Sequence, residues 1–144
     1  MKSYNAYLDM LKFAKLIGSQ SQCLSRHVGA CLVKNHMVVS TGFNQTPCNT
    51  EPCKECIRHS KKSGESLDIC KAIHAEEMCI LNYLKNHTIE DLKDCILFVS
   101  VAPCYNCAKL ITHLGIKKVY ALEDYNSKYT KEIFSEGKVE LIIL

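Results

Sequence analysis

The sequence predicts an α/β fold in which a β-sheet lies between layers of helices. Segments whose apolar residues recur at helical spacing alternate along the chain with short runs rich in β-branched and aromatic residues. The length of 144 residues, 47% of them apolar and 23% charged, suits one hydrophobic core. We therefore expect a single domain over residues 1–144.

The N-terminal third of the chain predicts a helix followed by a β-hairpin. Apolar side chains recur at helical spacing over residues 7–17, and Gly18 ends the helix. The β-rich runs 28–33 and 37–43 lie on either side of Lys34-Asn35-His36, an arrangement typical of an antiparallel hairpin.

Residues 44–72 break this periodicity. The segment contains Pro47, Pro52, Gly64 and four cysteines, and it has little apolar pattern of its own. Segments of this length without regular structure are usually functional, disordered or held by a metal. We therefore treat this loop as a candidate functional segment.

The rest of the chain predicts alternating helices and strands. The predicted helices cover residues 75–84, 104–114 and, more briefly, 131–135. The predicted strands cover residues 96–101, 119–122 and 139–144. Together with the hairpin, these strands predict a sheet of about five strands.

Charge and cysteine content narrow the class of protein. The net charge of +3 comes from scattered basic residues, with Lys61-Lys62 and Lys117-Lys118 as the only close pairs. This distribution disfavours a nucleic-acid surface and suits a small anionic substrate.

No signal-peptide pattern or membrane-spanning apolar run is present, so we expect a cytoplasmic protein with no membrane partner. In that reducing compartment, ten cysteines indicate metal ligands and buried thiols rather than disulfides.

Two short motifs carry the chemistry: His74-Ala75-Glu76 and Pro103-Cys104-Tyr105-Asn106-Cys107. Cys104 and Cys107 stand three residues apart at a predicted helix start, so both sulfurs can face one point. The exposed N–H groups of that helix end favour thiolates. His74 opens another helix and supplies a third ligand. One imidazole and two thiolates leave a fourth position open, which is the form of a catalytic zinc site.

Glu76 is the expected proton shuttle. It lies two positions after His74, so on a helix it cannot point alongside His74 at the metal. We expect it beside a zinc-bound water whose pKa falls toward ~7, where it takes a proton and returns protons to a ring nitrogen and to departing ammonia. Cys-x-x-Cys alone is more often structural zinc or a redox pair. The two motifs combined in this order mark zinc-dependent nucleobase deaminases.

Stretches flanking these motifs carry a family resemblance. They are residues 23–30, 41–44, 73–76 and 103–111, the last leading to 115–119. On these residues the chain resembles the deoxycytidylate (dCMP) deaminase group of the cytidine/deoxycytidylate deaminase superfamily. The resemblance implies a cytidine deaminase-like three-layer α/β/α fold with a mixed sheet. It further implies hydrolysis of dCMP to dUMP and ammonia for thymidylate synthesis, a homo-oligomer that is often a hexamer, and dCTP and dTTP as effectors.

The resemblance also assigns a substrate residue and shows two departures. Asn44 would hydrogen-bond the sugar hydroxyl, although an Asn after a strand also suits a simple turn. Gln45 replaces the usual Gly in the region where family members sense dCTP and dTTP, which leaves that control open. Met78 replaces an Asn that is common at this position, and the stretch His74-Ala75-Glu76-Glu77-Met78 resembles the variant seen in tRNA adenosine deaminases. A deaminase of dCTP, tRNA adenosine or a free base, and a non-catalytic zinc-stabilised binding module, are the alternatives.

Additional thiols predict a second, structural zinc ion. A closed Cys₄ site would hold the long loop in place, because metal binding can supply the folding free energy that its few apolar contacts do not. Its expected ligands are Cys23, Cys53, Cys56 and Cys70, with Cys48 or His59 able to replace one of them. Some members of the resembled group carry an additional zinc in this region. Free loop thiols are the alternative. Cys31, Cys79 and Cys95 lie in predicted helices or strands, or at their ends, and are expected in the core.

Overall fold

The computed structural model of the chain describes residues 4–62 and 65–144, so Gly64, a predicted loop breaker, lies outside the described residues. Within them, helices and strands alternate as the sequence predicts. The helices are α1 (Tyr4–Gly18), α2 (Ala75–Leu84), α3 (Tyr105–His113) and α4 (Lys128–Glu136). The strands are β1 (Gly29–Lys34), β2 (Met37–Phe43), β3 (Ile96–Val101), β4 (Lys118–Glu123) and β5 (Glu140–Ile143). Short 3₁₀ helices cover Leu67–Ile69 and Ile89–Asp94.

The five strands form one mixed sheet in the order β2-β1-β3-β4-β5. β1 runs antiparallel to both β2 and β3, whereas β3, β4 and β5 run parallel to one another. Parallel neighbours need a crossover connection, and α3 and α4 supply the two that this sheet requires. The predicted mixed sheet of about five strands is therefore confirmed.

Alternating side chains of the central strands divide the core into two halves. On one face, Cys31 and Phe98 pack with Leu11 and Ala14 of α1. On the other face, neighbouring strand residues pack with buried residues of α2, α3 and α4 in a larger cluster. Because successive residues of a strand point to opposite faces, both faces need a helical cover. The three-layer α/β/α prediction is confirmed, and the predicted core thiols Cys31, Cys79 and Cys95 are buried.

Some element boundaries differ from the predicted ones for local reasons. Asn35 and His36 both have positive φ angles, 51° and 66°, so the hairpin turns over these two residues and Lys34 belongs to β1. The last helix begins at Lys128, earlier than the predicted residue 131, because the Ser127 hydroxyl caps it by accepting a hydrogen bond from Thr130 N at 3.2 Å. The 3₁₀ helix Ile89–Asp94 was not predicted.

Gly42 allows α2 to lie directly against β2. A Cβ atom at this position would lie 2.8 Å from the backbone oxygen of Ala75 and in clash with the backbone nitrogen of Cys79. Only a residue without a side chain permits this approach. The contact places the start of α2 beside the end of β2. No helix in the described parts of the chain has the length and apolar character needed to cross a membrane.

Candidate active site

The second motif stands where β3 passes into α3, at the carboxyl edge of the parallel strands. Ala102 N donates a hydrogen bond to Glu123 O at the end of β4, at 2.8 Å, so both strands end together. Cys104 then takes the N-cap position of α3, which begins at Tyr105 rather than at Cys104 as predicted. Open α/β sheets bind ligands at this edge. Cys104 and Cys107 therefore lie where a ligand site is expected.

Two local structures bring His74 to the same place. The residue before it, Ile73, forms an isolated antiparallel bridge with Gln45, with N···O distances of 2.7 and 3.1 Å. His74 itself is the N-cap of α2, and its backbone N donates to Glu77 Oε1 at 3.1 Å. Glu77 was missed by the sequence reasoning, although a Glu three residues after an N-cap is a recognisable capping signal.

His74, Cys104 and Cys107 converge tightly. Their ligand atoms all lie within 4.8 Å of one another, and no other group of three such residues in the described parts of the chain does so. His74 Nδ1 is 3.3 Å from Cys107 Sγ and 3.5 Å from Cys104 Sγ. Tetrahedral zinc with Zn–S and Zn–N bonds of ordinary length separates its ligand atoms by about 3.5 Å. One imidazole and two thiols at this spacing fit a zinc ion.

One side of the cluster faces a cavity. His74, Cys104 and Glu76 line a cavity of about 250 Å³, whereas Cys107 lies behind them with 1% of its surface exposed. Glu76 is buried, with 4% of its surface exposed. A closed structural zinc site surrounds the ion with four protein ligands. Here three protein ligands lie beside a cavity that Glu76 also lines, so a bound zinc ion would have room for a water beside that carboxylate.

Burial and mutual contacts shift the acidities within the cluster. Burial raises the pKa of Glu76 to about 7. A hydrogen bond from Cys107 and another from His74 lower the pKa of Cys104 to about 4, despite its burial. The bond to Cys104 raises the pKa of His74 to about 9. The hydrogen bond that Cys107 makes to Cys104, together with burial, raises the pKa of Cys107. One thiolate, one thiol and one imidazolium are the favoured forms before a metal binds.

The outer wall of the cavity is basic. Four of its lining residues are Arg26, Arg58, Lys61 and Lys62, and Glu76 is its only acidic one. Tyr125 adds an aromatic ring from the segment after β4. The sequence marked Lys61-Lys62 only as a close pair, and no signal identified the two arginines or Tyr125.

Asn44 lines the same cavity but its side chain is largely committed to the backbone. Its Oδ1 accepts a hydrogen bond from Val28 N at 2.9 Å, and its Nδ2 donates to Arg26 O at 2.8 Å. One N–H and one lone pair remain for a ligand. The predicted contact with a sugar hydroxyl thus stays a prediction. Met78, by contrast, does not line the cavity.

The expected ligands of a second zinc surround a different, adjacent cavity of about 820 Å³. Its lining includes five thiols: Cys23, Cys48, Cys53, Cys56 and Cys70. In the described residues, the ligand atoms of these cysteines do not converge within the spacing seen at His74. The His59 ring instead lies with Nδ1 2.9 Å from Cys56 O. The structure gathers these thiols around one space without forming a cluster.

Residues 4–123 match the family model for the cytidine and deoxycytidylate deaminase zinc-binding region. The chain belongs to this deaminase family. The resemblance seen in the sequence is therefore confirmed, as is the expectation of a zinc-binding deaminase domain.

Individual deaminases of the family align over most of the chain. It is 32% identical to the deoxycytidylate deaminase of Schizosaccharomyces pombe over 96% of its own length, although it spans only 43% of that protein. It is 33% identical to the deoxycytidylate deaminase of Mycobacterium phage D29, with 76% of this chain and 88% of the phage protein aligned. The crystal structure of the dCMP deaminase of cyanophage S-TIM5 in complex with dCMP and dUMP superposes with a TM-score of 0.82, at 26% identity and over 100% of both chains.

We expect zinc to bind this cluster with release of protons. The His74 imidazole, with its pKa of about 9, and the Cys107 thiol must both lose a proton before they can bind the metal. Zinc affinity, measured by chelator competition, should therefore rise between about pH 6 and pH 9. Calorimetry in buffers of different ionisation enthalpy should detect the released protons.

The Cys107→Ser variant is the control for this experiment. It lacks one of the two ionisable ligands, so it should bind zinc more weakly and release one proton fewer. A wild-type affinity that does not change with pH over this range would contradict the assigned protonation states.

Proposed function

We propose that this protein is a dCMP deaminase that hydrolyses dCMP to dUMP and ammonia and so feeds dTMP synthesis. The observation that carries the proposal is one cavity that joins His74, Cys104 and Glu76 at its inner end to four basic side chains at its wall. Relatives named deoxycytidylate deaminase, and the S-TIM5 enzyme bound to dCMP and dUMP, support this choice of substrate.

His74, Cys104 and Cys107 would hold the catalytic zinc, which supplies a Lewis acid able to make water nucleophilic near neutral pH. Glu76 takes a proton from the attacking water as the oxygen adds to the amine-bearing ring carbon. It gives that proton to the adjacent ring nitrogen, then takes the remaining proton of the added hydroxyl and passes it to the amine. The carbon–nitrogen bond breaks, the hydroxyl oxygen becomes the carbonyl oxygen of dUMP, and ammonia leaves. A carboxyl group with a pKa of about 7 can accept and donate protons near neutral pH.

The basic wall favours a nucleotide over a nucleoside. Arg26, Arg58, Lys61 and Lys62 can attract a phosphate, and Arg58 is held in place by a hydrogen bond from its Nε to Glu65 O at 2.8 Å. Met78, the residue at which the chain resembles tRNA adenosine deaminases, does not line this cavity. Asn44 is proposed to bind the sugar hydroxyl with its remaining N–H.

A second zinc is proposed to stabilise the loop that forms this wall. Four of the five thiols that line the larger cavity, those of Cys23, Cys53, Cys56 and Cys70, would close on an ion through movement of the exposed loop. Cys23, Cys70 and Arg58 line both cavities. The metal would therefore act on substrate binding through the wall shared by the two cavities.

Further features of the proposal concern assembly and location. We place the deaminase in the cytoplasm, which the ten free thiols support. We also propose that residues 1–144 form one domain and that the protein is a homo-oligomer, as large as a hexamer. Exposed apolar side chains such as Leu16 and Met37, 65% and 68% exposed, support an assembly. Control by dCTP and dTTP remains a prediction. Gln45, which replaces the usual Gly in the region where family members sense these nucleotides, lines the larger cavity.

The Glu76→Gln variant should keep its zinc and lose turnover. The amide cannot shuttle a proton, so ammonia release from dCMP should fall by about 10²- to 10⁴-fold. Glu77→Gln is the matched control, because its amide oxygen can still accept the bond from His74 N and most activity should remain. Zinc content by elemental analysis separates lost chemistry from a lost metal. Full activity of Glu76→Gln would refute the mechanism.

Substrate choice should depend on the basic wall. Across dCMP, dCTP, CMP, deoxycytidine and adenosine-containing RNA, we expect the highest kcat/KM for dCMP. Replacing Lys61 and Lys62 by Gln should lower kcat/KM for dCMP by about 10- to 100-fold and leave deoxycytidine nearly unaffected. The same double change at Lys117 and Lys118, the other close lysine pair, is the control. Preference for RNA or for deoxycytidine would overturn the proposed substrate.

Elemental analysis should find two zinc ions per wild-type chain. Replacing Cys53 and Cys56 by Ser should remove one ion and raise KM for dCMP more than it lowers kcat, because the loop forms the basic wall. Cys48→Ser is the control and should keep two ions, because Cys48 is not among the four proposed ligands. Loss of one ion in this variant would show that Cys48 replaces one of them. A wild-type protein with one ion would eliminate the second site.

A further inference from the structure

The C-terminal helix α4 contacts the metal-binding segment at the two residues that flank Cys104. Thr130 Oγ1 donates a hydrogen bond to Pro103 O at 3.0 Å, between positions 27 residues apart in sequence. One residue earlier, the Tyr129 ring lies against the Tyr105 ring, with 5.7 Å between the ring centroids. The first turn of α4 thus holds the chain immediately before and immediately after Cys104.

We propose that Thr130 is a positioning residue for the metal site and that its hydrogen bond to Pro103 sets the direction of the Cys104 thiolate. The inference rests on the proposed zinc site but not on which nucleotide is the substrate. Thr130 also lies beyond the residues that match the family model, which end at position 123. Nothing in the two deaminase motifs points to it.

The Pro103–Cys104 peptide unit transmits the restraint. A peptide bond is planar, so the carbonyl oxygen of Pro103 and the backbone nitrogen of Cys104 turn as one unit. The proline ring already restricts φ of Pro103, the neighbouring torsion at the same Cα. Rotation about ψ of Pro103 is therefore the main way in which this unit can turn relative to Pro103, and the Thr130 hydroxyl restrains it. Any rotation would swing Cys104 Sγ, which has to remain near 3.5 Å from His74 Nδ1.

The Thr130 hydroxyl is itself firmly placed. Only 2% of Thr130 is exposed, and its backbone N donates to Ser127 Oγ, the cap of α4, at 3.2 Å. Pro103 is buried as well, so water has little access to replace the hydroxyl at its carbonyl. A buried and pre-oriented donor is the kind of outer contact that holds metal ligands in register.

A comparison within the chain shows that this bond is not the default for a helical threonine. Thr112 Oγ1 donates to Ala108 O at 2.8 Å, four residues back in its own helix, as threonine commonly does. Thr130 instead donates to a different element, next to a proposed metal ligand. The two threonines offer the same chemical group with and without a connection to Cys104.

The test compares side chains that keep or lose the hydroxyl. Thr130→Val keeps the shape of Thr130 and loses the donor, whereas Thr130→Ser keeps the donor. Zinc affinity of the full chain, measured by chelator competition, should fall about 10- to 100-fold in Thr130→Val and recover in Thr130→Ser. The ligand-field and thiolate charge-transfer bands of the cobalt-substituted protein should shift in Thr130→Val only. For dCMP, kcat should fall more than KM rises.

Thr112→Val is the control, because it removes a hydrogen bond of the same type from α3 without touching the Pro103–Cys104 unit. It should leave zinc affinity and the cobalt spectrum unchanged. If Thr130→Val does not fold, Thr130→Ser and Thr130→Ala form a second pair, which differ from each other by the hydroxyl, for the same measurements. Wild-type zinc affinity and cobalt bands in the variants that lack the donor would overturn the inference. A wild-type chain that binds no zinc would instead overturn the proposed function.

Discussion

The rest of this structure depends on one constraint: the ligand atoms of His74, Cys104 and Cys107 must meet at one point, although they come from the starts of two separate helices. His74 and Cys104 are 30 residues apart in sequence, yet Nδ1 and Sγ lie 3.5 Å apart. Parallel strands bring one helix start to the edge of the sheet. Gly42 and the Gln45–Ile73 bridge bring the other. Loss of either arrangement would separate the ligands even if every ligand residue were kept.

The cluster that results is chemically unfavourable on its own. Two thiols, an imidazole and the Glu76 carboxylate share a small, largely buried space, and burial is the main cause that raises the pKa of Glu76 to about 7. A divalent ion offsets this cost, because it neutralises two thiolates and lets the imidazole act as a neutral ligand. The same environment gives Glu76 an acidity suited to moving protons in both directions. Stability without metal and readiness for catalysis are thus opposed at this site.

The loop between β2 and α2 contrasts with the rigid centre. Its base is closed by the Gln45–Ile73 bridge, and most of its described residues are exposed. It nevertheless provides Arg58, Lys61 and Lys62 to the wall of the cavity. A segment with so few apolar contacts holds a precise shape only with help from other interactions, which a metal bound to its thiols would provide. The proposed chemistry and the proposed substrate binding therefore depend on different parts of the chain.

By itself, the sequence determined the α/β alternation, the five strands, the core thiols and the two motifs His74-x-Glu76 and Cys104-x-x-Cys107, because each depends on local periodicity or on spacing within one element. Helix starts were harder to place, since a cap such as Ser127 acts through one side-chain hydrogen bond that periodicity does not reveal. Only the tertiary structure decided which distant residues meet. The basic wall, Tyr125 beside the cavity, the commitment of Asn44 to the backbone and the contact of Thr130 with Pro103 all join residues far apart in sequence. Such contacts follow from how the layers pack, and no periodic pattern within a segment encodes them.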